Sequence, residues 1–74
     1  MPKEIKKVAI KTEYITLGQF LKFVGIVPFG SMEKDYLATN KVLVNGGDEN
    51  RRGKKLRPGD TIKLNEGEFE ITGG

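Results

Sequence analysis

The sequence predicts an α+β domain in which one strand is followed by two short helices and then by several short strands. Three observations carry that prediction. Apolar residues recur at helical spacing over Leu17, Phe20, Leu21 and Val24 and again over Met32, Tyr36 and Leu37, whereas from Thr61 to Leu64 and from Glu66 to Ile71 they alternate with polar neighbours. Turn signals at Asn45-Gly46 and Pro58-Gly59 divide the second half into pieces of strand length. With 74 residues there is room for a single domain spanning residues 1–74, since a chain this short buries only about 60% of the surface it exposes when unfolded.

From Ile5 to Thr12, Val8 and Ile10 share one face at period two among Lys6, Lys7 and Lys11, which predicts a first strand with a basic, solvated side. Thr16-Leu17-Gly18-Gln19 has the form of a capping box, the Thr16 hydroxyl accepting from the Gln19 amide while the Gln19 side chain reaches back. A helix of about two turns should follow and end at Gly25-Ile26, the pattern of a left-handed cap with its hydrophobic contact. Pro28 disfavours helix at Val27. A second helix is expected to begin just beyond it, with Ser31 or Gly30 as N-cap, Glu33 and Asp35 at the positive end of its dipole, and an end near Thr39.

Lys41 to Asn45 reads as a strand entering a tight Asn45-Gly46 turn, where positive φ is tolerated. Arg57-Pro58-Gly59-Asp60 is a type I or II turn signal, and Thr61 to Leu64 alternate as in a half-buried strand. Glu66, Glu68 and Glu70 then alternate with Gly67, Phe69 and Ile71, predicting a last strand with an acidic outer face along an exposed edge, before a frayed end at Thr72-Gly73-Gly74. Phe20, Phe23 and Phe69 are expected in the core of so small a domain, and packing is expected for Tyr36. Phe29, in the inter-helix turn, is the aromatic left for stacking.

Cysteine and histidine are both absent. Thiolate metal sites, disulfides, thiol nucleophiles and the usual general base go with them. No stretch approaches the ~18 apolar residues of a membrane-spanning helix, and no phosphate-binding glycine loop is present. The three glutamates of the last strand are too spread out for an acid/base pair or a metal cage. The expectation is a cytoplasmic protein with no membrane attachment, no cofactor, no metal, no small-molecule substrate and no catalytic role. Thirteen Lys and Arg against ten Asp and Glu leave a net charge of only +3, so placement matters more than total. That placement is uneven: Asn50 to Arg57 holds five cations in eight residues around one apolar anchor, Leu56.

The quoted pieces resemble, in their order and spacing, the S4 RNA-binding domain family, in particular its small stand-alone bacterial members. The resemblance covers about residues 14–64 and rests on Phe20-Leu21-Lys22 with Gly25-Ile26, Val42-Leu43-Val44-Asn45-Gly46, Arg51-Arg52 with Lys54-Lys55-Leu56, and Pro58-Gly59-Asp60-Thr61-Ile62. It implies two short helices packed on a small, bent, mostly antiparallel sheet, with RNA bound on a face built from the helices and a basic hairpin. Members often carry Arg-Leu-Asp where this chain has Thr16-Leu17-Gly18, and Ser-Arg where it has Phe29-Gly30, so two of the family's cations are missing. Lys34 falls where a basic residue of the second helix is expected, and Arg51 to Lys55 match the basic hairpin.

A protein that recognises the shape of A-form RNA needs cations held at phosphate spacing on a rigid surface. Arginine grips a phosphate with a planar fork and lysine adds point charge that tolerates imperfect geometry. The expected RNA-binding set is Lys22, Ser31, Lys34, Lys41, Asn45, Arg51, Arg52, Lys54, Lys55 and Arg57. The expected partner is structured RNA, ribosomal RNA or a ribosome-assembly intermediate, bound by a monomer with a log–log salt slope of about −3.5 to −5.5 for five or six phosphate contacts. Each cation also has an ordinary alternative: the basic run as a solvated loop, and Lys34 as a partner for Glu33 or Asp35. A second functional reading is an assembly module in DNA replication or repair whose basic loop meets an acidic protein.

Overall fold

The computed structural model describes residues 5–73, with the elements β1 (Ile5–Ile10), β2 (Ile15–Thr16), α1 (Leu17–Phe23), a 3-10 turn (Gly30–Met32), α2 (Glu33–Thr39), β3 (Leu43–Val44), β4 (Gly47–Asp48), β5 (Lys55–Leu56), β6 (Thr61–Leu64) and β7 (Gly67–Gly73). The expected α+β class holds: two helices pack on a mixed sheet of order β1-β7-β6-β3-β4, and β2 pairs with β5 in a separate two-stranded sheet. All pairings are antiparallel except β1 with β7, which run parallel from Ile5 opposite Glu68 to Ile10 opposite Gly73.

Local chemistry sets the ends of α1. Both halves of the capping box form, the Gln19 amide donating to Thr16 Oγ1 at 3.3 Å and the Thr16 amide to Gln19 Oε1 at 3.1 Å. At the other end Gly25 takes φ +80 while the Ile26 amide donates to Leu21 at 2.9 Å and the Gly25 amide to Lys22 at 3.1 Å. That pair of bonds is a Schellman cap, which requires a left-handed residue at the glycine.

The start of α2 differs from expectation. Neither Ser31 nor Gly30 caps it, because the 3-10 turn runs directly into the helix; the Met32 amide donates to Phe29 and the Glu33 amide to Gly30, so backbone carbonyls already take the donors a cap would serve. Asn45 (φ 52) and Gly46 (φ 85) form the expected tight hairpin turn between β3 and β4. Gly59, at φ +99 with the Asp60 amide donating to Arg57, makes the later turn type II.

The core lies between the sheet, which contributes Val8, Ile10, Val44, Ile62, Leu64, Phe69 and Ile71, and the helices, which contribute Leu17, Phe20, Leu21 and Leu37. Phe20 meets Phe69 edge to face at 5.3 Å and 82°, a geometry set by the ring quadrupoles. Phe23 is not in this core. It is 63% exposed, because it lies off the stripe of Leu17, Phe20 and Leu21 that faces the sheet.

Nor is β7 an edge strand. Parallel pairing with β1 places it inside the sheet, Thr72 and Gly73 pair with Ala9 and Ile10, and of the expected frayed end only Gly74 lies outside the described residues. Its outer face is mixed in charge, since Lys63 stands opposite Glu68 and Lys7 opposite Glu70, an arrangement of cross-strand neighbours that offsets like charges.

Candidate functional site

Glu49 to Lys54 join β4 to β5 as an irregular loop, and Lys55 and Leu56 are β5 itself, so the basic segment is not the hairpin that the resemblance implied. The hairpin is the preceding β3–β4 unit; the cations come after it. Their backbone is nevertheless held at several points. The Lys54 amide donates to Arg51 at 3.1 Å, closing a turn, and Lys55 and Leu56 pair with Thr16 and Ile15. Leu56 is fully buried and anchors the loop from below.

The N-terminus of α1 supplies the central clamp. Helix starts leave amides without intrahelical partners, and here the Leu17 amide donates to Lys54 at 2.8 Å and the Gly18 amide to Arg52 at 2.9 Å. With the two capping-box bonds, the amides from Thr16 to Gln19 are all satisfied. The same carbonyls that complete the helix thus fix where the loop turns. Gly18 is buried at this junction, and a Cβ there would run into the Glu33 carboxylate and come within 3.2 Å of Arg52 Cβ.

Arg51, Lys54, Lys55 and Arg57 line one open depression of about 510 Å³. Arg52 belongs to the same loop and packs its Cβ toward Gly18. One acid reaches into the cluster: Glu49 Oε2 accepts from Arg51 Nε at 3.0 Å and from the Arg51 amide at 3.2 Å. The Arg51 hydrogen bond holds the Glu49 carboxyl below the usual carboxylate range. The Glu49 side chain is only 12% exposed and that of Arg51 is 76% exposed, so the guanidinium remains accessible. Lys55 Nζ stands 5.0 Å from the centroid of the Tyr14 ring, a cation–π contact. Arg57 is held through its backbone, its amide donating to Asp60 Oδ2 at 2.8 Å.

The other residues singled out from sequence are dispersed. Lys22 lies in the last turn of α1 and borders a separate groove. Ser31 and Lys34 are exposed, on the 3-10 turn and on α2, and among the described residues Lys34 pairs with neither Glu33 nor Asp35. Lys41 forms a 3.7 Å ion pair with Asp48 near β3. Asn45 is engaged internally: its Nδ2 donates to Asp60 Oδ1 at 3.1 Å and its Oδ1 accepts from the Thr61 amide at 2.9 Å and the Thr61 hydroxyl at 3.3 Å.

Sequence reasoning missed Tyr14 and Phe23, which line the groove beside Lys22. The signal for Phe23 was present in its position off the apolar stripe; for Tyr14 there was none. Among the described residues no group of three or more potential ligands could hold a metal ion, and no helix is long and apolar enough to cross a membrane.

The S4 domain pattern matches residues 8–72 of this chain. The chain is also 45% identical over 65 residues to a Bacillus subtilis (strain 168) protein named "Probable ribosome maturation protein RlbA", a match that covers 86% of this chain and 92% of that relative. With the pattern running from β1 into β7 and a relative aligned over nearly its whole length, this chain belongs to the S4 domain family.

Proposed function

We propose that this chain is a non-catalytic, cytoplasmic RNA-binding protein that acts as a monomer and as one S4-like domain on structured RNA, namely ribosomal RNA or a ribosome-assembly intermediate. One observation carries the proposal: Arg51, Lys54, Lys55 and Arg57 share a single depression on a backbone pinned by α1, β2 and the buried Leu56. Side chains on a fixed backbone lose less freedom when they meet a regular array of phosphates, and their charges add along it. The name of the Bacillus subtilis relative, a probable ribosome maturation protein, supports the same target.

With Arg52 included, five cations can neutralise phosphates. Lys22 extends the surface along α1, while Ser31 and Lys34 offer a secondary contact on the second helix. Lys41 lies apart with its acid, and Asn45 contributes by holding the hairpin turn against β6.

Filter binding to ribosomal RNA at two salt concentrations tests the proposal. Five contacts give an expected log–log slope of about −3.5 to −4.5, and changing Arg51, Arg52, Lys54 and Lys55 together to Ala should remove most of it. Affinity that is insensitive to salt, or no greater than for a neutral polymer, refutes the reading. A complex with an acidic protein that survives nuclease treatment would favour the assembly-module alternative instead.

A further inference from the structure

Beside the basic depression lies a second concavity of different chemistry. It is an open groove of about 860 Å³ whose walls include Tyr14, Gln19, Lys22, Phe23 and Glu33. Phe23 is 63% exposed, Tyr14 38% and Phe29 66%, so three aromatic side chains of a very small domain are left out of its core, and two of them, Tyr14 and Phe23, line this groove. Exposed rings carry a cost in water that burial would remove, and a face of this kind is where a planar, apolar surface gains most by stacking.

The two concavities share a boundary. Lys55, which lines the basic depression, stands over the Tyr14 ring, which lines the groove. A polyanion lying on the loop therefore passes next to the aromatic groove. The groove suits phosphate less than the loop does, because Lys22 at its border is its one cation among the described residues and the half-buried Glu33 carboxylate is another of its walls. Among the described residues no hydrogen bond or ion pair engages that carboxylate, nor the amide nitrogen of Gln19, whose oxygen is taken by the capping box. An acceptor and a donor thus flank the two rings.

We propose that this groove receives one unpaired nucleobase carrying an exocyclic amino group, stacked against Phe23 and Tyr14, while the neighbouring phosphates rest on the Arg51–Arg57 loop. The proposal rests on the RNA-binding reading above and deepens it: the protein selects a bulge, loop or end next to a helix, not an uninterrupted duplex. A carboxylate accepts from the exocyclic amino groups of adenine, cytosine or guanine, whereas uracil presents carbonyl oxygens at those positions and its one donor on that edge, N3–H, is flanked by both of them, which repel a carboxylate. Backbone contacts position the RNA and the base contact selects the site.

Fluorescence anisotropy with three labelled RNAs tests it: a hairpin with an adenosine loop, the same stem with a uridine loop, and a blunt duplex with the same number of phosphates. The intact chain should bind the adenosine loop most tightly. Phe23→Ala should weaken that binding by about 5- to 150-fold, the equivalent of roughly 1–3 kcal/mol for a lost stacking contact, and leave the duplex unchanged. Phe23→Trp should retain it, and Glu33→Gln should narrow the gap between the two loops.

Equal effects of Phe23→Ala on loop and duplex, or no effect on either while the intact chain still binds all three RNAs in a salt-sensitive way, overturn the groove and spare the loop. An intact chain that binds none of the three at low salt overturns the RNA-binding reading and the groove with it. Loss of a co-purifying protein on Phe23→Ala, with RNA affinities intact, reassigns the groove to a protein partner.

Discussion

The Gly18 amide donates to the Arg52 carbonyl at 2.9 Å, so the first turn of α1 holds the middle of the basic loop. The contact depends on the missing side chain, since a Cβ at Gly18 would run into Glu33 and approach Arg52 Cβ to 3.2 Å. Gly18→Leu should therefore destabilise the fold by about 1–3 kcal/mol, the usual cost of overpacking, and weaken RNA binding in step as the loop is displaced. Gly18→Ala should be milder, because the end of the Glu33 side chain can swing aside. Urea denaturation of both variants, read beside their RNA affinities, checks this.

Asn45 joins the β3–β4 turn to Asp60 and Thr61 through three side-chain hydrogen bonds, beside the one its amide donates to the Thr61 carbonyl, and it holds φ 52, a conformation Asn tolerates better than Ala. Asn45→Ala should cost roughly 1.5–4.5 kcal/mol of stability, from three hydrogen bonds at about 0.5–1.5 kcal/mol each. RNA affinity measured well below the melting temperature should change little. A large affinity loss without a change in stability would show that Asn45 touches RNA directly.

Glu49 is the acid that competes for Arg51. The Arg51 half of the pair is 76% exposed, and pairs that solvent screens in this way are worth about 0.2–1 kcal/mol, so Glu49→Gln should free the guanidinium and tighten RNA binding by up to about fivefold. The comparison belongs at low salt, where surface electrostatics is least screened. Unchanged or weaker binding would mean that Glu49 serves to orient Arg51 and not to restrain it.

Tyr36 ties α2 to the β6–β7 turn by donating to Glu66 at 2.5 Å. Burial first, and then the hydrogen bond to the carboxylate, push its phenol well above the ordinary value of 10.0. The unfolded chain releases that proton near pH 10 while the folded chain keeps it. The resulting stability is fully present below about pH 10 and is lost as pH rises from there through the folded-state pKa. Tyr36→Phe should lower stability at neutral pH and show a shallower alkaline decline, with the lysine titrations common to both proteins cancelling in the comparison. Parallel alkaline curves would rule out a contribution from Tyr36.

Features that depend on a few consecutive residues were legible before any coordinates. Thr16 with Gln19, Gly25 with Ile26, Asn45 with Gly46 and Pro58 with Gly59 each define a local hydrogen-bonding or φ requirement, and all four form as read. The helical stripe of Leu17, Phe20 and Leu21 and the alternation of Ile62 and Leu64 marked core positions for the same reason. Two local readings failed because a neighbour intervened. The 3-10 turn served the amides that Ser31 or Gly30 was expected to cap, and Phe23 fell outside a stripe already filled by its helix-mates.

The sequence by itself determined the α+β class, the caps and turns, most of the core and the existence of a dense basic segment, because these follow from spacing along the chain. Only the tertiary structure decided that β7 lies beside β1 and so within the sheet, that the basic segment is a loop clamped by the start of α1, and that Asn45 turns inward to Asp60 and Thr61. Each of these joins residues far apart in sequence. No periodicity records such a pairing, since it is chosen by the burial and hydrogen bonding of the whole fold at once.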